Sequence, residues 1–177
     1  MNAYHITGAS GSGKSHVGRE LGKRGFRVIE TDFEPGLSDW AHKETRQRAE
    51  EPRQPFPTEW VEAHGWYWDR DKMHELVEGT GDVPVFFVGG AHNETEFYPL
   101  FRKRFGLFID DKDELTRRLQ EREPERWIDG SQELTNVLEW NDKSRAFNEQ
   151  HGAISIDSSQ PVETIADVIL KHVDGDT

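Results

Sequence analysis

The sequence contains no cysteine, which removes disulfides, thiolate nucleophiles and thiolate metal sites at once. Apolar residues are scarce too, at 33% of the 177 positions, and no run of them approaches bilayer-spanning length. The first residues enter a strand-like segment without a basic stretch and a long apolar run, so cytoplasmic residence is the expectation. Positive charge is short: 22 basic residues face 34 acidic ones, a formal net charge of -12. A surface of that sign repels nucleic-acid backbones on average, which argues against duplex binding and favours solubility. What is present suffices for one domain over residues 1–177, since 11% of the residues are aromatic, 6 Trp and 10 Phe among them. There are no internal repeats and no low-complexity tract.

Five short apolar runs read as strands: Tyr4–Thr7, Phe26–Glu30, Val83–Val88, Gly106–Ile109 and Ala153–Ile156. Most do not alternate strictly, which suits strands buried on both faces of a parallel sheet. Helical segments lie between them: Lys14–Lys23, a helix capped by Asp69 that ends at Gly79, Glu94–Lys103, Lys112–Arg122, Ser131–Gln150 and Val162–Val173. Leu115 and Leu119, then Leu134, Val137 and Leu138, recur at helical spacing. The basic run Arg102-Lys103-Arg104 reads as a helix end, where cations favour the dipole. Strands alternating with helices predict an α/β three-layer fold with right-handed crossovers. The stretch from Phe33 to Pro57, with Pro35, Gly36, Pro52, Pro55 and Pro57, breaks this rhythm and predicts an insertion on the sheet edge or a flap.

Gly8-Ala9-Ser10-Gly11-Ser12-Gly13-Lys14-Ser15 matches the Walker A pattern, with a strand before it and a helix after it. The glycines allow successive amides to point inward at phosphate oxygens, and the helix dipole adds its positive end. Lys14 is placed to bridge the β- and γ-phosphates, and the Ser15 hydroxyl to ligate magnesium.

Together with this P-loop, the segments Val28–Asp32, Val85–Gly90 and Leu107–Arg122 make the chain resemble the P-loop small-molecule kinases, namely the nucleoside-monophosphate kinases and their shikimate-kinase-like relatives. The resemblance implies a five-stranded parallel sheet in order 2-3-1-4-5. It also implies an acceptor-binding insertion at about 33–80 and a short lid at about 118–130. In the Asp-x-Asp pattern of shikimate kinases Glu30 takes the first position, near magnesium, and Asp32 the second, at the acceptor hydroxyl. Gly89 and Gly90 imply backbone amides close to the acceptor, with His92, Asn93 and Glu94 lining its pocket; His92 could equally just begin a helix. No Walker B aspartate ends Val85–Val88, which leaves magnesium to Ser15, phosphates, water and Glu30 or Asp32. By the resemblance Arg118 stacks on adenine and Arg122 reaches phosphate, with Arg126 and Arg145 as further lid candidates. The alternative for this helix is a solvated face of Glu–Arg pairs with Glu114, Glu121 and Glu123. Ser158 and Pro161 match the last loop facing the adenine.

The insertion region concentrates Trp40, Phe56, Trp60, Trp66, Tyr67 and Trp68, with Arg46, Arg48, Arg53 and His64 between them. Rings stack on bases and arginines hold phosphate or carboxylate, so Trp60 and Trp66 are acceptor candidates; the alternative is a flap core. The expected activity is an ATP- and Mg2+-dependent phosphotransferase acting on a small acceptor, a nucleoside or nucleotide first. A sugar acid, a shikimate-like compound or an antibiotic is the alternative acceptor. From another class comes a regulatory NTPase acting through a partner, and a polynucleotide 5′-hydroxyl kinase is a third option against which the charge counts. Monomer or homodimer, and ATP or GTP, stay open.

Overall fold

The computed structural model describes residues 2–53, 56–124 and 126–174; Pro55 of the insertion and Glu125 of the expected lid lie outside them. In chain order the described elements are β1 (Ala3–Gly8), α1 (Lys14–Lys23), β2 (Arg27–Glu30), β3 (Ser38–His42), α2 (Thr58–Ala63), β4 (His64–Trp68), α3 (Arg70–Glu78), β5 (Val85–Val88), a 3-10 helix (Glu94–Leu100), β6 (Lys103–Phe108), α4 (Lys112–Arg122), α5 (Gln132–Gln150), β7 (Ile154–Asp157) and α6 (Val162–Asp174). Asp69, Asp111 and Ser131 cap α3, α4 and α5 by accepting from amides of the first turn.

β1 lies at the centre of a parallel sheet in the order β2-β5-β1-β6-β7. Counted within this sheet alone, its strands run 2-3-1-4-5; the labels shift because the insertion adds two strands of its own. Tyr4, Ile6, Phe86, Val88, Phe105 and Leu107 meet Val17 and Leu21 of α1 and Ile165 and Ile169 of α6 on one face. Ala3, Val85 and Phe87 meet Met73, Leu76 and Val77 of α3, with Trp68, Phe97 and Phe101, on the other. Burying each Phe contributes roughly 1.5–3 kcal/mol. The helical spacing of Leu115, Leu119 and Leu134 brings them together with Ile109 and Trp127 in a third cluster.

Two expectations are corrected. The helix expected over Glu94–Lys103 is a 3-10 turn that stops at Leu100, because Pro99 has no amide to continue it and Phe101 turns extended into the core. Arg102-Lys103-Arg104 therefore does not end a helix: the Arg102 amide donates to Ala3 O at 2.8 Å, and Lys103 opens β6. The insertion is a folded antiparallel pair, β3 against β4 with Trp40 opposite Trp66, and the short α2 precedes β4. Its docking is specific. Ser38 Oγ donates to Thr31 O at 2.6 Å, and the His92 amide donates to Trp66 O at 2.7 Å.

Candidate functional site

β1 delivers the glycine loop at its carboxyl end, between β5 and β6. Gly8 has φ 149°, and a side-chain carbon there would lie 2.4 Å from the Leu107 carbonyl oxygen, so only glycine lets the loop leave the strand here. Gly13 opens α1 with left-handed backbone, no side chain caps that helix, and its first turn holds no acidic residue. First-turn amides without a side-chain cap, beside a dipole end and a lysine, fit a polyphosphate.

Lys14 folds over the loop and donates from Nζ to Gly8 O at 2.8 Å and Ala9 O at 2.9 Å. Burial pushes its ammonium down to about 8; the charge of Asp32 opposes this, Arg122 adds to it, and Glu94 opposes it weakly. α4 brings both expected arginines to the same place. Arg118 is held by Glu114 at 2.7 Å and donates to Ser158 O at 3.2 Å, and Arg122 Nη2 donates to Ser10 Oγ at 3.1 Å. The Glu–Arg pairs of the alternative are present as well: Arg117 pairs with Glu114 and Glu121, Arg118 with Glu114, and Arg122 with Glu123 at 3.1 Å. Ser158 turns its hydroxyl away onto Phe108 O, so only its carbonyl faces Arg118, and Pro161 is exposed at the start of α6.

Asp32 stands exposed just beyond β2 and accepts from Trp66 Nε1 at 3.0 Å. Glu30 ends β2 on the strand face it shares with Val28, which packs against Gly18 of α1. Among the described residues no three acidic or histidine side chains gather as a metal cage. Gly89 has φ 147°, and a side-chain carbon there would sit 1.9 Å from Thr31 Oγ1, so this glycine lets β5 close onto the turn that carries Asp32. Asn93 spends both ends of its amide on the backbone of Trp68, at 3.0 Å each, and so fixes β4 over the end of β5. Trp60 stacks on His64 and meets Trp40 and Phe56; Trp40 meets Trp66, so one aromatic chain runs from α2 to Asp32. A cavity of about 640 Å³ opens beside it, lined by Trp40, Trp66, Asp39, Arg48, Glu50 and Glu51. Arg48 is engaged by Asp39 at 2.6 Å and Arg46 lies over Tyr67.

The expected lid segment is anchored by buried Trp127, and Arg126 beside it pairs with Glu123 and Glu133. Arg145 is not part of this site: it joins Asp110 and Glu149 over the Phe108 ring.

Sequence reading misses a buried polar cluster beneath the glycine turn. Glu94, 6% exposed, accepts from Thr7 Oγ1 at 3.1 Å and from Tyr98 Oη at 2.6 Å. Arg104 covers the Tyr98 ring, and His5 bonds Gly89 O at 2.9 Å. The available signal is polar residues at alternate positions, His5 and Thr7, in a strand otherwise buried on both faces.

A gluconokinase from Sinorhizobium meliloti 1021 shares this fold at 18% identity, with 98% of this chain and 91% of that one covered and a TM-score of 0.54. A shikimate kinase from Acinetobacter baumannii in complex with shikimate does so at 16%, with 100% and 95% covered and 0.58. A deoxyadenosine kinase from M. mycoides with dCMP and dCDP bound matches at 14%, with 98% and 99% covered and 0.56. No curated protein sequence matches the chain. The architecture is thus that of the P-loop small-molecule kinases. The model of the AAA domain family matches residues 5–137, well over half of the sequence, and the chain belongs to that family.

Proposed function

We propose that the protein is an ATP- and magnesium-dependent kinase that moves the γ-phosphate to a hydroxyl of a small acceptor, a nucleoside or nucleotide in the first place. One observation carries this reading: the exposed carboxylate of Asp32, oriented by Trp66, lies within electrostatic range of the Walker lysine and favours its charged form. A hydroxyl beside Asp32 would give up its proton to that carboxylate as its oxygen attacks phosphorus. Lys14 and Arg122 would neutralise charge on the transferred group, and Arg118 would clamp the base beside the Ser158 carbonyl. ATP supplies the phosphoryl group, and the Ser15 hydroxyl and Asp32 would hold its magnesium. The aromatic chain from Trp60 to Trp66 would cover the acceptor, and the nearby Gly89 and Gly90 would offer backbone to it.

The reading is tested by ADP release from ATP and Mg2+ against nucleosides, nucleoside monophosphates, sugar acids and shikimate, with Lys14→Ala as the control. One acceptor should raise release far above the acceptor-free rate, and the control should abolish it. Release indifferent to every acceptor would favour the regulatory NTPase.

A further inference from the structure

β5 ends in Val88-Gly89-Gly90 and so carries no acidic side chain at the place where a P-loop protein usually keeps one for magnesium. A carboxylate from further along the chain nevertheless comes close to this turn. A side-chain carbon built on Gly90 would lie 3.1 Å from Glu94 Oε2 and 3.4 Å from Thr7 Oγ1. The Glu94 carboxylate thus reaches back from the 3-10 helix to the point where a residue at position 90 would start.

Its surroundings hold it aimed. Tyr98 donates to Oε1 at 2.6 Å, and Thr7, one residue before the loop, donates to Oε2 at 3.1 Å. Gly8, next to Thr7, carries one of the two carbonyls on which Lys14 rests. Arg104 lies over the Tyr98 ring and balances the buried negative charge, and its own hydrogen bonds go to His151 O and Asn148 Oδ1, leaving Glu94 to the loop side. A carboxylate has about four acceptor positions, so Oε2 retains capacity beyond the Thr7 bond.

We infer that Glu94 replaces the missing strand-end carboxylate and serves the magnesium of the bound nucleotide, with Thr7 as the residue that positions it. This rests on the reading that the P-loop binds a magnesium nucleotide, and it adds a residue to the magnesium set of Ser15 and Asp32.

The test is ATP binding without any acceptor, followed by tryptophan fluorescence, in EDTA and across a Mg2+ titration. In the wild type Mg2+ should tighten ATP binding. In Glu94→Gln the Mg2+ concentration giving half of that gain should rise about 10- to 100-fold, while affinity in EDTA stays the same. Thr7→Val, which keeps a β-branched residue in the strand and so secures a folded variant, should shift the titration the same way by a smaller factor. Tyr98→Phe, which leaves the loop-facing oxygen untouched, should shift it least. An unchanged titration in both Glu94→Gln and Thr7→Val overturns the inference, as does an equal loss in Tyr98→Phe, which marks a role in the fold alone. Nucleotide binding is read here apart from phosphoryl transfer, so a wild type that binds Mg-ATP but transfers to no acceptor refutes the kinase reading and not this one. A wild type that binds no nucleotide overturns both.

Discussion

Arg122 Nη2 donates to Ser10 Oγ at 3.1 Å, so the last turn of α4 rests on the tip of the glycine loop. A planar guanidinium at that point is placed to stabilise charge spread over a transferring phosphoryl group. Arg122→Ala is expected to lower kcat by about 100-fold or more with a smaller change in nucleotide affinity. Arg122→Lys should recover only part of the loss. Steady-state kinetics with ATP varied decides it, and an unaltered kcat would place Arg122 outside the chemistry.

Lys14 gives a pH dependence of opposite sign in two measurements. Burial holds its pKa at about 8 in the folded chain against the usual 10.5, so between these values the unfolded chain binds more protons. Folding stability should therefore rise with pH through this window, and the penalty of the buried charge is fully present below about pH 8. Urea melts of the wild type minus those of Lys14→Met isolate this rise. ATP affinity, which needs the charged form, should instead fall over the same range. A difference between the two melts that does not vary with pH would contradict the burial of a charged lysine.

Gly89 has no room for a side chain. Alanine there would place its Cβ 1.9 Å from Thr31 Oγ1 at φ 147°, so either β5 or the Asp32 turn must move. Gly89→Ala is expected to destabilise the fold by about 3 kcal/mol or more. Gly36→Ala, at φ 76° with open space around it, should cost only about 1 kcal/mol. Thermal melts of the two variants provide the comparison, and equal losses would show that the contact with Thr31 yields.

The sequence announces what is local and hides what is assembled. Lys14–Lys23 and Lys112–Arg122 are readable to the residue because a glycine loop opens the first and Asp111 caps the second. The P-loop is legible for the same reason: its chemistry lies in eight consecutive positions. Arg118 and Arg122 are implied by the family resemblance, and their four-residue spacing on one helix face survives folding. The helix reading of Glu94–Lys103 fails at Pro99, and burial of Phe97 and Phe101 decides the backbone there. Asn93 was read as facing an acceptor, yet its amide is consumed by the backbone of Trp68, 25 residues earlier. The buried role of Glu94 is hidden in the sequence, since Thr7 of β1 comes 87 residues earlier and meets it only once the sheet is assembled.

The most direct test of the central claim follows the label of γ-phosphate-labelled ATP in the presence of the acceptor that best stimulates ADP release. The label is expected to appear on the acceptor hydroxyl, with Asp32→Asn lowering that transfer about 100- to 10,000-fold while ATP binding at saturating Mg2+ is retained. Label recovered only as inorganic phosphate, at a rate that Asp32→Asn does not change, would contradict a kinase that uses Asp32 as its base.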